Sequence, residues 1–260
     1  MSNSIELTAN NELAFETSGL TKRLSVLSYG LLAYVVGCTG LFWLILGFAG
    51  LVPVGLSEFR AESTSMAITI NIGLIALFGL QHTVMARPRF KKWLTRFIPT
   101  AAERSSFMMM SGVVSIMAAY YWQALPGTVW AVDNIAAQII LWSIHAIAWT
   151  YLLLATFVTN HFELMGLRQV YLYFRNRPYH ALPFTRKFMY RYSRHPMMLG
   201  FLVGMWSVPA MSVAHLAMAV LFTAYIFIGI GFEERDLMKN FGETYRKYKK
   251  DIATFIPGIY

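Results

Sequence analysis

The sequence predicts an all-α integral membrane protein with about six transmembrane helices, of which the last two form a helical hairpin followed by a cytoplasmic C-terminal helix. Three observations support this prediction. Of the 260 residues, 57% are hydrophobic and 13% are charged, whereas soluble domains contain about 25% charged residues. Apolar segments long enough to cross a bilayer recur along the chain, and the basic residues are concentrated in alternate connecting segments. This composition argues against a water-soluble enzyme.

The N-terminal segment, residues 1–23, is predicted to be a cytoplasmic tail. It contains three glutamates before Lys22 and Arg23, and it lacks the apolar run and cleavage site of a signal peptide. The rest of the chain, residues 24–260, is predicted to be one membrane domain. Its single cysteine, Cys38, allows no internal disulfide.

Four apolar segments have the length of about 20 residues that a transmembrane helix requires. They comprise residues 24–50, 66–86, 106–125 and 135–159. A fifth apolar region, residues 196–232, contains no Asp, Glu, Lys or Arg and is too long for one crossing. Because Pro209 lies between Ser207 and Ser212 near its middle, this region is predicted to be a helical hairpin with a short first arm.

The distribution of Lys and Arg predicts the orientation of these helices. With six spans and both termini in the cytoplasm, every basic residue except Arg60 lies on the cytoplasmic side, in agreement with the positive-inside rule. A single span in place of the hairpin would move the basic residues after Phe232 to the other side. The net charge of +9 therefore reflects cytoplasmic segments of a membrane protein, and we expect membrane lipid but no nucleic acid as a partner.

Polar residues cluster in the two long cytoplasmic segments, residues 160–195 and 233–260, which the hairpin holds together at its open end. Ionisable groups at the membrane boundary are costly to bury, so they tend to be paired and functional. A polar pocket is therefore predicted there. The clusters consist of Asn160, His161, Glu163, Arg168 and Gln169, then Arg194, His195 and Pro196, then Glu233, Glu234, Arg235 and Asp236. The helix that follows is predicted to roof this pocket or to lie on the membrane surface with one apolar face. That face consists of Leu237, Phe241, Tyr245 and Tyr248.

The C-terminal motifs resemble the signature of the isoprenylcysteine carboxyl methyltransferase superfamily. The matching residues, in order, are Arg194-His195-Pro196-Met197-Met198-Leu199-Gly200, Glu233-Glu234-Arg235-Asp236-Leu237, Phe241-Gly242, Tyr245, Tyr248 and Phe255-Ile256-Pro257. The resemblance implies that residues 160–260 enclose the cofactor S-adenosylmethionine at the cytoplasmic end of the hairpin. The implied cofactor contacts are Arg194, His195, Pro196, Gly200, Glu233, Glu234 and Tyr245. One position departs from the family pattern, since Met198 stands where the family often has Tyr.

Three upstream segments resemble a narrower group, the bacterial methanethiol S-methyltransferases, which are grouped with NnrU-like membrane proteins. These segments are Gly79-Leu80-Gln81-His82-Thr83-Val84-Met85-Ala86-Arg87-Pro88, Glu103-Arg104-Ser105-Ser106 and Thr159-Asn160-His161-Phe162-Glu163-Leu164-Met165-Gly166-Leu167-Arg168-Gln169. The resemblance implies methyl transfer from S-adenosylmethionine to methanethiol, a small volatile thiol. The products would be dimethyl sulfide and S-adenosylhomocysteine, and the location would be the bacterial inner membrane.

The implied reaction suits a pocket at the membrane boundary. When a thiolate attacks a sulfonium, opposite charges disappear, so a dry pocket favours the reaction more than water does. A small thiol and its product partition into lipid, while the polar methyl donor enters from the cytoplasm.

Roles for the polar residues follow as hypotheses. Arg194 is expected to pair with the donor's carboxylate, and Glu233 or Glu234 to accept hydrogen bonds from its ammonium or ribose hydroxyls. Because a simple thiol ionises well above pH 7, a base or an orienting group is needed. The candidates for this role are His161, His82 and Asn160.

Other functions stay open at this point. A lipid or prenyl-cysteine methyltransferase would share the donor site and accept a long-chain substrate. An NnrU-like haem-binding membrane isomerase would use His82 and His145, which both lie within predicted spans. A nicotinamide-dependent reductase with the same hairpin design is disfavoured, because those chains are generally longer. The sequence has no paired-cysteine metal site, and it leaves open the oligomeric state and the choice among small thiols, selenols and hydrogen sulfide.

Overall fold

The computed structural model describes residues 12–13 and 18–258 and is mostly helical. Most of the predicted tail, residues 1–23, lies outside the described residues. The helices are α1 Leu20–Phe48, α2 Thr64–Ala86, α3 Pro88–Leu94, α4 Glu103–Tyr121, α5 Ile135–Val158, α6 His161–Leu164, α7 Leu167–Phe174, α8 Pro196–Trp206, α9 Val213–Phe241 and α10 Glu243–Asp251. Two 3₁₀ turns cover Thr100–Ala102 and Phe188–Arg191. The short strands are β1 Glu12–Leu13, β2 Thr128–Ala131, β3 Tyr179–His180 and β4 Ala210–Ser212.

Four of these helices, α1, α2, α5 and α9, are long and apolar enough to cross a membrane. This confirms the prediction of a helical membrane protein. Two further apolar helices are shorter or carry charges. The helix α4 has 19 residues and begins with Glu103 and Arg104, and α8 has 11 residues.

Glycines bring α1 and α4 into close contact. A Cβ atom at Gly40 would lie 2.6 Å from the carbonyl oxygen of Gly112, and one at Gly112 would lie 2.5 Å from that of Val36. Because lipid is as apolar as the side chains, helices in a membrane associate through close packing of this kind. As a result α4 is held between α1 and α2, with both of which it makes contact.

The short helix α8 packs on α5 through Gly200 and Gly204, which lie about one turn apart. A Cβ atom at Gly200 would lie 2.7 Å from the carbonyl oxygen of Ala148, and one at Gly204 would lie 2.5 Å from the ring of Trp149. The main buried apolar cluster lies beside this contact. Its members include Leu44, Leu152, Met205, Met218 and Phe222.

Short strands join two connecting segments near the start of α9, which is the end without charged residues. These segments are the loop before α5 and the turn between α8 and α9. There β2 pairs antiparallel with β4, with Thr128 opposite Ser212 and Ala131 opposite Ala210. The strands are two to four residues long, so they are a small departure from the predicted all-α fold. They fix the turn between α8 and α9 to the loop before α5.

The apolar face predicted for one C-terminal helix is divided between two helices, because α9 ends at Phe241 and α10 begins at Glu243. Leu237 and Phe241 lie on α9, and the two tyrosines lie on α10, where they are buried against protein. Tyr245 and Tyr248 are 1% and 2% exposed, and their ring centroids lie 5.9 and 5.1 Å from that of Phe184. Because Phe184 belongs to the segment between α7 and α8, α10 covers that segment.

Candidate active site

A cavity of about 460 Å³ opens among α2, α4, α8 and α9, at the ends that carry the charged clusters. Small-molecule sites commonly have volumes of about 300–1,000 Å³. Both Tyr225 and Asn240 of α9 line the cavity, and this length of helix spans about 22 Å. The cavity is therefore elongated along the helix axis, and its two ends differ in chemistry.

The outer end of the cavity presents charges of both signs. Arg87, which follows α2, forms an ion pair of 3.0 Å with Asp236 of α9. Arg104 at the start of α4 lines the cavity and donates through Nε to the carbonyl oxygen of Leu164 at 2.8 Å. The side chain of Glu233 lines the same cavity and is 44% exposed. A ligand with both cationic and anionic groups would find partners here.

The inner end of the cavity combines apolar side chains with His82 and Ser111. The imidazole of His82 lies 5.3 and 4.6 Å from the rings of Phe78 and Phe107, between centroids, and its Nδ1 is 3.2 Å from the hydroxyl oxygen of Ser111. Within the described ranges, the hydrogen bond of the His82 imidazole is made by Nδ1, and none is made by Nε2. A histidine with one nitrogen held and the other free can exchange a proton with a ligand. Four methionines also line the cavity, namely Met108, Met165, Met197 and Met198.

Behind the cavity, Glu234 is the centre of an ionic cluster that also contains Arg194, His195 and Lys249. The carboxylate of Glu234 accepts hydrogen bonds from Arg194 Nε at 2.8 Å, His195 Nε2 at 3.2 Å and Lys249 Nζ at 2.5 Å. On the other side of the imidazole, His195 Nδ1 lies 3.5 Å from Oε2 of Glu233. His195 thus connects the buried cluster to the carboxylate that lines the cavity.

The two carboxylates control the charge of His195. Burial by itself would lower its pKa, but the hydrogen bonds and negative charges of Glu233 and Glu234 outweigh burial and raise the pKa to about 9. His195 is therefore protonated at neutral pH. Both of its ring nitrogens then carry hydrogen and donate.

Arg194 fastens the C-terminal segment to the start of α8. Besides Glu234, its guanidinium donates to the carbonyl oxygens of Lys249, at 3.1 Å, and Ile252, and to the hydroxyl of Thr254 at 2.7 Å. Four of its five N–H groups are thus used within the protein. Arg194 therefore holds Ile252 and Thr254, which follow α10, close to the start of α8.

Two buried tyrosine hydroxyls near the acidic pair have no partner of hydrogen-bond geometry in the described part of the chain, although the Thr159 hydroxyl, which donates to backbone carbonyls, lies near that of Tyr190. They belong to Tyr190, in the turn before α8, and to Tyr245 of α10, which are 8% and 1% exposed. Burial and then the charge of Glu233 raise the pKa of Tyr190, while burial and then the charge of Glu234 raise that of Tyr245. Both hydroxyls therefore keep their proton. Since buried polar groups are nearly always paired, these donors indicate a place where polar groups of a ligand could bind.

Two of the predicted catalytic residues lie away from this cavity. His161 is 5% exposed, and both of its ring nitrogens are engaged, Nε2 at 3.0 Å from the hydroxyl of Tyr34 and Nδ1 at 2.8 Å from that of Thr156. Asn160 caps α6, because its side-chain oxygen accepts from the backbone N–H of Glu163 at 3.1 Å. Of the three candidates, the structure brings only His82 to the cavity that Glu233 lines.

The predicted cofactor residues also have distinct places. Glu233 lines the cavity. Arg194, His195 and Glu234 belong to the ionic cluster behind it. Pro196 occupies the first position of α8, where its missing N–H has no cost. Gly200 allows α8 to approach α5, and the hydroxyl of Tyr245 is unpaired next to the cluster.

Sequence reasoning missed Ser111, Arg104 and Tyr190 as site residues. Ser111 is one of several serines in an apolar segment, and nothing in the sequence shows which of them contacts His82. From the sequence, Arg104 was assigned only to the basic residues of a cytoplasmic segment, although it belongs to the motif Glu103-Arg104-Ser105-Ser106. Tyr190 lies among many aromatic residues and outside any motif, so no signal pointed to it.

A family model described as phospholipid methyltransferase matches residues 140–244. The matched segment runs from α5 into α10 and contains Glu233 and most of the ionic cluster. Together with the apolar helices, and with the relatives described next, this match identifies the protein as a membrane-bound methyltransferase.

The relatives identify the branch of that class. The chain is 38% identical over 238 residues to the methanethiol S-methyltransferase of Mycobacterium tuberculosis, covering 91% of this chain and 97% of that protein. It is 39% identical over 245 residues to the methanethiol S-methyltransferase of Crocosphaera subtropica, covering 94% and 96%. The chain therefore belongs to the methanethiol S-methyltransferase family. It is also 27% identical over 200 residues to nurim of Bos taurus, covering 70% of this chain and 72% of that protein. No solved structure matches the chain.

Proposed function

We propose that this protein transfers a methyl group from S-adenosylmethionine to methanethiol, giving dimethyl sulfide and S-adenosylhomocysteine. The observation that carries the proposal is the identity of 38% and 39% to two proteins of that name, over more than nine-tenths of the chain. The cavity supports it chemically, because a charged outer end suits a polar donor and an apolar inner end with one histidine suits a small thiol.

The proposed setting is the bacterial inner membrane, with six passages and both termini in the cytoplasm. In this arrangement α4 and α8 cross together with the four long apolar helices. The 11 residues of α8 span only about 16 Å of a hydrocarbon core of about 30 Å. Residues 207–212, which include strand β4, would provide the remaining length before α9 returns. Residues 24–260 then form one domain, in which residues 160–260 bind the donor.

Glu233, Tyr190 and Tyr245 are the residues that we propose hold the polar parts of S-adenosylmethionine. The carboxylate of Glu233 is free to accept hydrogen bonds from an ammonium or from ribose hydroxyls, and the two tyrosine O–H groups can donate to a carboxylate. The residues present thus fit the group, which would supply a methyl carried on a sulfonium, an electrophile that reacts best in dry surroundings. The ionic cluster holds Glu233 and α10 in place relative to α8.

His82 is the residue that we propose takes the proton of the thiol. Ser111 holds Nδ1, two aromatic rings fix the imidazole plane, and Nε2 is left to accept the proton. Phe78 and Phe107, which pack on the imidazole, exclude water, so the thiolate formed is poorly solvated and nucleophilic. His161 and Asn160 have a supporting role in this proposal, since they order the segment that brings Leu164 and Met165 to the cavity wall.

The test is the pH dependence of two histidine variants. We expect His82→Gln to lower kcat at pH 7 by about 100-fold or more, as loss of a general base does, with little change in donor affinity. The deficit should shrink as the pH approaches the pKa of the thiol, because the thiolate then forms without a base. The matched variant His161→Gln should lower thermal stability and leave the shape of the pH profile unchanged. A deficit in His161→Gln that shrinks at high pH, with a normal profile for His82→Gln, would assign the base to His161.

A second candidate acceptor is a lipid, which the match to the phospholipid methyltransferase description favours. The haem alternative gains no support from the structure, since His145 is buried on α5, where its Nε2 accepts from the indole N–H of Trp149 at 3.0 Å, and is not among the residues that line the cavity with His82. A panel of acceptors separates the two methylation reactions, and the thiol is the acceptor that we propose.

A further inference from the structure

A second recess, on the lipid-facing side of α1, is separate from the active-site cavity. It has a volume of about 390 Å³ and lies between α1 and the short helices α6 and α7. Its walls are largely apolar, and Leu31, Phe162 and Tyr171 among them are each half exposed. The lining consists of Leu27, Leu31, Asn160, Phe162, Leu167, Arg168 and Tyr171.

The polar groups at its rim are able to donate hydrogen bonds. The side-chain oxygen of Asn160 caps α6. The side-chain N–H groups of Asn160 can therefore donate hydrogen bonds to a ligand. Arg168 uses Nη1 for Glu163 at 2.7 Å and for the carbonyl oxygen of His180 at 3.1 Å. In the described parts of the chain, Nε and Nη2 of Arg168 and the hydroxyl of Tyr171 have no hydrogen-bond partner. Glu163 is the acidic group in contact with Arg168, and it engages one edge of the guanidinium.

In the proposed membrane orientation, the recess would lie near the boundary between headgroups and acyl chains. Leu27 and Leu31 lie seven and eleven residues after the start of α1 at Leu20, or about 10 and 16 Å along the helix. Near the same end of the helices, Lys22 and Arg175 are exposed, so the surroundings are positively charged. An anionic headgroup would be attracted to such a site on the cytoplasmic side of a membrane.

We propose that this recess binds one anionic phospholipid of the cytoplasmic leaflet. Its phosphate accepts hydrogen bonds from Asn160, Arg168 and Tyr171, and one acyl chain lies along Leu27 and Leu31. The proposal rests on the membrane orientation proposed above but not on the identity of the methyl acceptor.

The bound lipid would influence the active site through the segment that it contacts. Asn160 and Phe162 line the recess, while Leu164 and Met165 of the same segment line the active-site cavity. Arg104 lines that cavity too, and it donates to the carbonyl oxygen of Leu164. Ordering this segment by a lipid therefore orders one wall of the cavity, and we expect anionic lipid to raise both stability and activity.

The test compares the purified full chain in nanodiscs of phosphatidylglycerol and of phosphatidylcholine. We expect a higher Tm in phosphatidylglycerol and retention of one such lipid per chain in native mass spectrometry. Arg168→Gln should reduce retention about fivefold, the effect of one arginine near an anionic surface. Leu31→Trp, which fills the recess and leaves the charges unchanged, should reduce it as well. Arg89→Gln, a matched loss of an exposed arginine outside the recess, should not.

Three outcomes would overturn the proposal. Equal reduction by Arg89→Gln would show that only surface charge attracts the lipid. Unchanged retention in Leu31→Trp would place the lipid elsewhere. A rise in Tm of the same size with inorganic phosphate alone would show that the site recognises a free anion. Because lipid retention needs no methyl transfer, these results are independent of the proposed reaction.

Discussion

Helix geometry separates the roles of Glu233 and Glu234. Consecutive residues on an α-helix point about 100° apart, so the two carboxylates cannot share one environment. Glu233 lines the cavity, whereas the side chain of Glu234 is 10% exposed and holds the ionic cluster. The sequence predicted this acidic pair but not which member faces the cavity, because that depends on the rotation of α9 against its neighbours. The choice between His82 and His161 was open for the same reason.

The protonated state of His195 leads to a prediction about stability. Its pKa is raised from 6.5 to about 9, so its contribution to stability is fully present below pH 6.5 and is lost as the pH rises through 9. The contribution is about 3 kcal/mol at most. We expect His195→Asn in detergent to have a lower Tm than the wild type at pH 6, with a difference that shrinks towards pH 9.5.

The control for this measurement is His180→Asn, because His180 is exposed and contacts neither carboxylate. Its Tm should follow that of the wild type at every pH. A difference between the wild type and His195→Asn that stays constant from pH 6 to pH 9.5 would contradict the proposed imidazolium.

At the level of elements, the apolar segments predicted the long helices well. The expected spans 24–50 and 66–86 correspond to Leu20–Phe48 and Thr64–Ala86, and 135–159 corresponds to Ile135–Val158, since the requirement for about 20 apolar residues is a strong physical constraint. The short helices α3, α6 and α7 were not predicted. Short helices are unstable in isolation and depend here on tertiary contacts that a single sequence does not reveal.

The contact between α8 and α5 gives a prediction at this scale. Gly200→Val would force a side chain against the backbone of Ala148, where even a Cβ atom lies 2.7 Å from the carbonyl oxygen. We expect a loss of stability of about 1–3 kcal/mol, measured as a fall in Tm. The control is Gly73→Ala on α2, where a Cβ atom would have no neighbour within 4 Å. If Gly200→Val kept the wild-type Tm but lost donor binding, Gly200 would instead contact the donor.

On the scale of the whole molecule, the C-terminal segment folds back over the ionic cluster and would complete the proposed donor site. After α9 the chain forms α10 and returns so that the backbone N–H groups of Arg194 and His195 donate to the carbonyl oxygens of Ala253 and Thr254 at 2.9 and 3.1 Å. The residues of the ionic cluster come from three separate parts of the chain. The sequence placed them at one end of the hairpin, but the side-chain pairing that folds α10 over the site could be seen only in the structure.

This closure makes Arg194→Lys informative, because lysine keeps the charge and loses the planar fork of donors. We expect faster hydrogen exchange in residues 252–255, together with weaker donor binding. Arg246→Lys, whose side chain is 65% exposed, should change neither. Loss of donor affinity with unchanged exchange in the C-terminal segment would mean that Arg194 contacts the donor's carboxylate directly, as the sequence first suggested.

The most direct test of the proposed methyl transfer is headspace gas chromatography with mass detection on the purified protein in lipid vesicles, supplied with methanethiol and methyl-labelled S-adenosylmethionine. We expect labelled dimethyl sulfide formed in equal amount with S-adenosylhomocysteine, a rate strongly reduced in Glu233→Gln, and no label in the vesicle phospholipids. Folded protein that transfers the label to phospholipid, or to no acceptor at all while methanethiol is present, would contradict it.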